Sequence, residues 1–125
     1  MQEGNDELTH RILGCAMRVH SALGPGLLES AYEVCLDHEL RKNGFAVVRQ
    51  LAVPVLYDGI RLDAGYRIDL LVDDTVILEI KAVEKILPVH EAQLLSYLRL
   101  ANKRTGLLIN FHSASLKDGI LRKRL

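Results

Sequence analysis

Asp69, Glu79 and Lys81 are the residues whose types and spacing best suit them to chemistry. They stand in two β-rich runs, residues 66–72 and 76–83, joined by the short acidic turn Asp73-Asp74-Thr75, a pattern that predicts a β-hairpin. Strand side chains alternate, so Ile68, Leu70 and Val72 are expected on one face and Arg67 and Asp69 on the other. Leu78, Ile80 and Ala82 likewise oppose Ile77, Glu79 and Lys81. An unpaired buried charge is expensive, so these side chains must pair, bind an ion or line a wet cleft. Two carboxylates suit a hard cation such as Mg²⁺ or Mn²⁺, which takes one or two of them together with water and phosphate oxygens. Phosphodiester cleavage is the matching reaction: it needs a metal to acidify water and neutralise developing charge. Lys81 would be a positive partner for the phosphate or the nucleophile. The bland alternative is a cross-strand ion pair on a half-exposed face, which contributes little stability.

The elements that must position these residues follow from periodicity. Residues 5–22 predict a helix with Asn5 or Asp6 as cap and Leu8, Ile12, Cys15, Ala16 and Val19 inward. Gly24-Pro25-Gly26 breaks it. A second helix is expected over residues 27–42, with Gly44 ending it and Glu29 and Tyr32 one turn apart. Residues 45–50 and 53–57 predict strands, the latter at an edge or irregular at its start because Pro54 cannot donate to a ladder. Asp58-Gly59 predicts a tight hairpin into residues 60–62. Pro88 suits the first turn of a helix that reaches Ala101. The apolar run 106–111 suits a strand covered on both faces, and residues 115–125 form a last strand or short helix. The order predicts an α/β or α+β architecture, a β-sheet with helices packed against it.

Composition bounds the partners. At 125 residues the expectation is a single domain, residues 1–125, with a core large enough to need no staples. Sixteen basic residues balance sixteen acidic ones, so nucleic-acid binding would need a local basic patch, with Arg122-Lys123-Arg124 or Arg99, Lys103 and Arg104 as candidates. Cys15, Cys35 and the five histidines show no metal-ligand spacing, and surface or interface roles are expected of the histidines. No leader or long apolar span is visible, so no membrane association and a cytoplasmic location are expected.

Asp69 followed by Glu79-Ile80-Lys81 resembles the core of the PD-(D/E)xK nuclease-like superfamily, although an E-x-K triplet is common by chance. Gly26-Leu27-Leu28-Glu29-Ser30-Ala31-Tyr32 is similar to the signature of the GxxExxY family, a branch of that superfamily. Gln50, Arg67-Ile68-Asp69, Gln93 and the run from Gly106 to Phe111 follow in that family's order, so the resemblance spans about residues 8–112. It implies a restriction-endonuclease-like core, a central mixed β-sheet flanked by helices, with the active site at forked strands. It implies a Mg²⁺ site made by Asp69, Glu79 and the Ile80 carbonyl, with Lys81 orienting or deprotonating the attacking water. Glu29 would supply a further carboxylate and Gln93 would reach the cleft from the later helix. Arg67 is a candidate for substrate phosphate or for pairing with Asp69 or Glu79. Tyr32 is a candidate at the substrate side, although a packing role with a bonded hydroxyl suits it better.

Two functions from different classes therefore stand. One is a metal-dependent nuclease acting on DNA or RNA. The other is a non-catalytic binding or assembly module that keeps the nuclease fold, to which neutral charge and a short chain are suited. A metal-dependent phosphoesterase acting on a small nucleotide is a third. A homodimer would let so small a domain grip both strands of a duplex.

Overall fold

The computed structural model describes the backbone of residues 2–125 and the side chains from Asp6 onward. Two helices come first, α1 (Gln2–Leu23) and α2 (Glu29–Lys42), then strands β1 (Val47–Ala52), β2 (Val55–Tyr57), β3 (Ile60–Leu62), β4 (Arg67–Val72) and β5 (Val76–Lys81). Helix α3 (Pro88–Ala101), β6 (Thr105–Asn110), a 3₁₀ turn (Leu116–Gly119) and β7 (Ile120–Arg124) complete the chain. The tail thus forms both of its expected alternatives, a short helical turn leading into a strand.

Five strands form one mixed sheet in the order β1-β4-β5-β6-β7, with β5 and β6 parallel and every other neighbouring pair antiparallel. The parallel pair is joined through α3, as a crossover connection requires. β2 and β3 stand outside this sheet as a two-stranded ribbon, which accommodates Pro54 immediately before it. The result is an α+β fold, a mixed sheet flanked by helices, as the resemblance implies.

Each sheet face buries its own core. Leu70, Val72, Leu78, Ile80, Leu107 and Ile109 pack with Ile12, Cys15, Val19, Tyr32, Leu36 and Leu40 of α1 and α2. Leu71, Ile77 and Leu108 pack with Leu94, Tyr97 and Leu98 of α3. β6 is buried along its whole length because it lies between both layers.

Three expectations need correction. Helix α1 begins at Gln2, so Asn5 and Asp6 lie within it and do not cap it. The Asp6 carboxylate instead accepts from Arg122 and Arg124 of β7, an attraction between distant segments that local periodicity cannot show. Second, Ile68 does not share a face with Leu70 and Val72; it packs in the α3-side core. The same reversal occurs on β1, where Val47 joins the α1/α2 side but Leu51, and Val53 just beyond the strand, the α3 side. Both strands change face at one level, Gln50 opposite Asp69, and Gln50 takes the left-handed conformation, φ 52°. Third, His20 is buried, its Nε2 donating to the Ser113 carbonyl at 2.8 Å.

Candidate active site at the strand fork

Main-chain pairing between β4 and β5 ends at Leu70 opposite Leu78. The next opposed pair would be Asp69 and Glu79, and there the strands part. Side chains take over the ladder. Asp69 N–H donates to Glu79 Oε2 at 3.0 Å, and Ile80 N–H donates to Asp69 Oδ2 at 2.8 Å. These reciprocal bonds hold both carboxylates in the fork and leave Asp69 Oδ1 and Glu79 Oε1 available. No protein donor meets Glu79 Oε1 among the described residues, and Asp69 Oδ1 has only Gln50 Nε2 at 3.5 Å. The N–H and C=O of a strand residue point the same way, so the Ile80 carbonyl also faces the fork.

The electrostatics follow from this crowding. Burial pushes the Glu79 carboxyl up to about 8, and the neighbouring Asp69 charge adds to the shift. Burial likewise raises the Asp69 carboxyl, opposed by the Ile80 N–H and reinforced by the Glu33 charge. Lys81, half-buried at the end of β5, lowers both and makes no ion pair of its own among the described residues. Two facing carboxylates with unfilled oxygens are the donor set a divalent cation satisfies. No cluster of three or more His, Cys, Asp or Glu side chains suited to a metal occurs among the described residues, so such an ion would draw its remaining ligands from backbone and water oxygens. The residues present fit that group.

Glu29, on the first turn of α2, accepts from Ala82 N–H at 3.3 Å and so lies against the segment that follows Lys81. Its charge also reaches Asp69. Arg67 is exposed and donates to the Gln50 carbonyl at 3.4 Å rather than to either carboxylate. Gln93 lies half-buried in a groove with Val55, Tyr66, Ser96 and Tyr97, and hydrogen-bonds to no acidic side chain among the described residues. Burial raises the Tyr97 hydroxyl, and the Glu79 and Asp69 charges add to that shift. Tyr32 is not brought to the cleft surface. It is fully buried, stacked on Phe111 at 4.6 Å, and its hydroxyl donates to the Gly24 carbonyl at 2.6 Å while accepting from Leu27 N–H at 3.0 Å. Its geometry is that of the packing residue with a bonded hydroxyl, pinning the turn before Glu29.

Two residues of the site escape sequence reasoning. Glu33, 7% exposed on α2, accepts from both Arg49 and Gln50. Its spacing of four residues from Glu29 puts both carboxylates on one helix face, which is the signal that could have found it. Asn110 closes the far side of the fork: its side chain donates to the Val83 carbonyl at 2.7 Å and accepts from Val83 N–H at 3.1 Å. Together with Phe111 N–H donating to the Lys81 carbonyl at 2.9 Å, this clamps the chain on either side of Ala82.

Comparison with curated proteins and with solved structures gave no significant match. A family model described as the PD-(D/E)XK nuclease superfamily matches residues 6–123, nearly the whole chain and every residue of the fork. The chain therefore belongs to the PD-(D/E)XK nuclease superfamily.

Proposed function

We propose that this protein is a divalent-metal-dependent nuclease of the GxxExxY branch, hydrolysing phosphodiester bonds in DNA or RNA at the β4–β5 fork. The observation that carries the reading is the pair of carboxylates bridging the fork, Glu79 buried and Asp69 half-buried, with Lys81 beside them. Asp69, Glu79 and the Ile80 carbonyl are the residues that would hold Mg²⁺ or Mn²⁺. When bound, that ion supplies charge neutralisation at the phosphate and lowers the pKa of the attacking water. Lys81, two residues beyond Glu79 on the same strand, would orient the nucleophile or contact the scissile phosphate. Glu29 presents a further carboxylate from the turn that Tyr32 pins, and Gln93 offers an amide from α3. Arg67, exposed on the first residue of β4, is the candidate phosphate contact.

The test pairs calorimetric Mg²⁺ and Mn²⁺ titration with a cleavage assay on mixed DNA and RNA. Wild type should bind metal, Asp69→Ala and Glu79→Ala should lose that binding, and Lys81→Ala should bind but cleave at least about a hundredfold more slowly. Absence of metal binding by the wild type, with or without nucleic acid, would falsify the reading.

One observation favours a second reading, a binding or assembly module that keeps the nuclease fold. The C-terminal basic run is not a free patch, because Arg122 and Arg124 pair with Asp6 and Lys123 pairs with Glu91 at 2.9 Å. Metal binding without cleavage of any nucleic acid, alongside recovery of a stable dimer, would select it.

A further inference from the structure

Arg49 and Gln50 are neighbours on β1, and neighbours on a regular strand point to opposite faces. Here both reach one carboxylate. Arg49 donates from Nε and Nη2 to Glu33 Oε2 at 3.3 and 3.0 Å, while Gln50 Nε2 donates to Oε1 and Oε2 of Glu33 at 2.9 and 3.1 Å. The left-handed backbone at Gln50 accounts for the shared direction, a conformation that non-glycine residues adopt at a cost and that concentrates at functional sites. Glu33 is itself a buried carboxylate whose charge Arg49 balances. Held by Glu33, Gln50 Nε2 stands 3.5 Å from Asp69 Oδ1, the oxygen that Ile80 N–H does not take.

We infer that Glu33 and Gln50 form a positioning pair for Asp69. Glu33 locks the Gln50 amide so that it faces Asp69 Oδ1, and the amide fixes which way that oxygen points across the fork. The inference rests on the divalent-cation site proposed above, at which Asp69 is a ligand. Carboxylates that hold metals are themselves oriented by hydrogen bonds, and loss of such a partner weakens the metal by about ten- to a hundredfold. A merely structural salt bridge between α2 and β1 has no such effect, because it would act on folding and not on Asp69.

The experiment is a double-variant cycle read by Mg²⁺ calorimetry on the full chain: wild type, Glu33→Gln, Gln50→Ala and both together, each checked for folding by circular dichroism. Each single variant should bind Mg²⁺ at least about tenfold more weakly. The double variant should be no weaker than the weaker single, because the second change removes a link already broken. Fully additive losses would mean that Glu33 acts through its charge alone and would overturn the pairing, as would wild-type affinity in the folded single variants. If the wild type itself binds no Mg²⁺, the cation reading fails and takes this inference with it. A second readout needs no metal and no Glu33 variant: the Gln50 side-chain amide resonance should shift on Asp69→Asn, whereas an unmoved resonance shows that the two side chains do not interact.

Discussion

Glu79 occupies an environment that resists ionisation. Its carboxyl rises from 4.5 to about 8 through burial and the facing Asp69 charge. Below pH 4.5 the folded and unfolded chains both carry the proton, and the folded state has its full advantage. Between 4.5 and about 8 the unfolded chain releases that proton while the folded one keeps it, so metal-free stability falls as pH rises through this window. The loss is on the order of a few kcal/mol, because each tenfold change in proton affinity corresponds to about 1.4 kcal/mol. Urea unfolding of the metal-free protein should show this decline from about pH 5 to about pH 8, and Glu79→Gln should flatten it; an equal slope in the two proteins contradicts the assignment. Were the proposed cation to bind at this carboxylate, it would displace a proton at neutral pH. Mg²⁺ titrations in two buffers of different ionisation enthalpy should therefore yield different apparent heats, and identical heats would mean that Glu79 is already ionised.

At the scale of elements, three contacts hold the layers around the fork together. Tyr32 ties the α1–α2 turn to the core through its two hydroxyl bonds, and Glu29 starts the helix just beyond that turn. Tyr32→Phe retains the stacking on Phe111 but strands the Leu27 N–H and Gly24 carbonyl, and should cost about 1–2 kcal/mol in thermal or urea unfolding. Asn110 is buried and supplies three bonds, two to Val83 and one from His112 N–H at 3.2 Å. Asn110→Ala should destabilise by about 2–3 kcal/mol and speed amide hydrogen exchange at Val83, because the lost acceptor leaves that donor without a partner. On β6, Gly106 lets α3 approach the sheet: an added Cβ would stand 2.7 Å from Leu94 Cδ1 and 3.2 Å from its Cγ. Leu94 is fully buried, so Gly106→Ala must displace a packed side chain and should cost about 1–3 kcal/mol.

For the whole molecule, the distribution of charge decides more than its zero sum. Several candidate basic residues are occupied by acidic partners, including Lys103 with Asp74 at 2.9 Å and the β7 residues with Asp6 and Glu91. At the fork strands, Lys81 and Arg67 have no acidic partner among the described residues, while Arg49 is already paired with Glu33. Few phosphates can then be neutralised at once, so any nucleic-acid affinity should depend weakly on salt. A slope of log affinity against log salt no steeper than about −3 is expected from about three contacts. Fluorescence anisotropy over a salt series measures it, and a much steeper slope would reveal a basic surface assembled by other means, such as a second copy of the chain. Among the described residues no helix is long and apolar enough to cross a membrane.

Much of this was legible in the chain because it rests on short-range rules. The helix expected over residues 27–42 (observed from Glu29), that over 88–101, the hairpin at Asp58-Gly59 and the buried strand from Gly106 follow from periodicity, proline and glycine placement, and these act within a few residues. The charged residues in apolar strands pointed to the fork for the same reason, since the cost of burying a charge depends little on which partner relieves it. The tertiary structure alone decided how that charge is handled. Asp69 and Glu79 serve as ladder acceptors only because β4 and β5 part at Leu70 and Leu78, a geometry set by what packs on each face. Strict alternation failed at Gln50 and Asp69 because both strands turn over there, and two helical layers settle which face receives Ile68. Glu33, Asn110 and the Asp6–β7 contact join residues up to 118 positions apart, pairings that spacing along one element cannot encode.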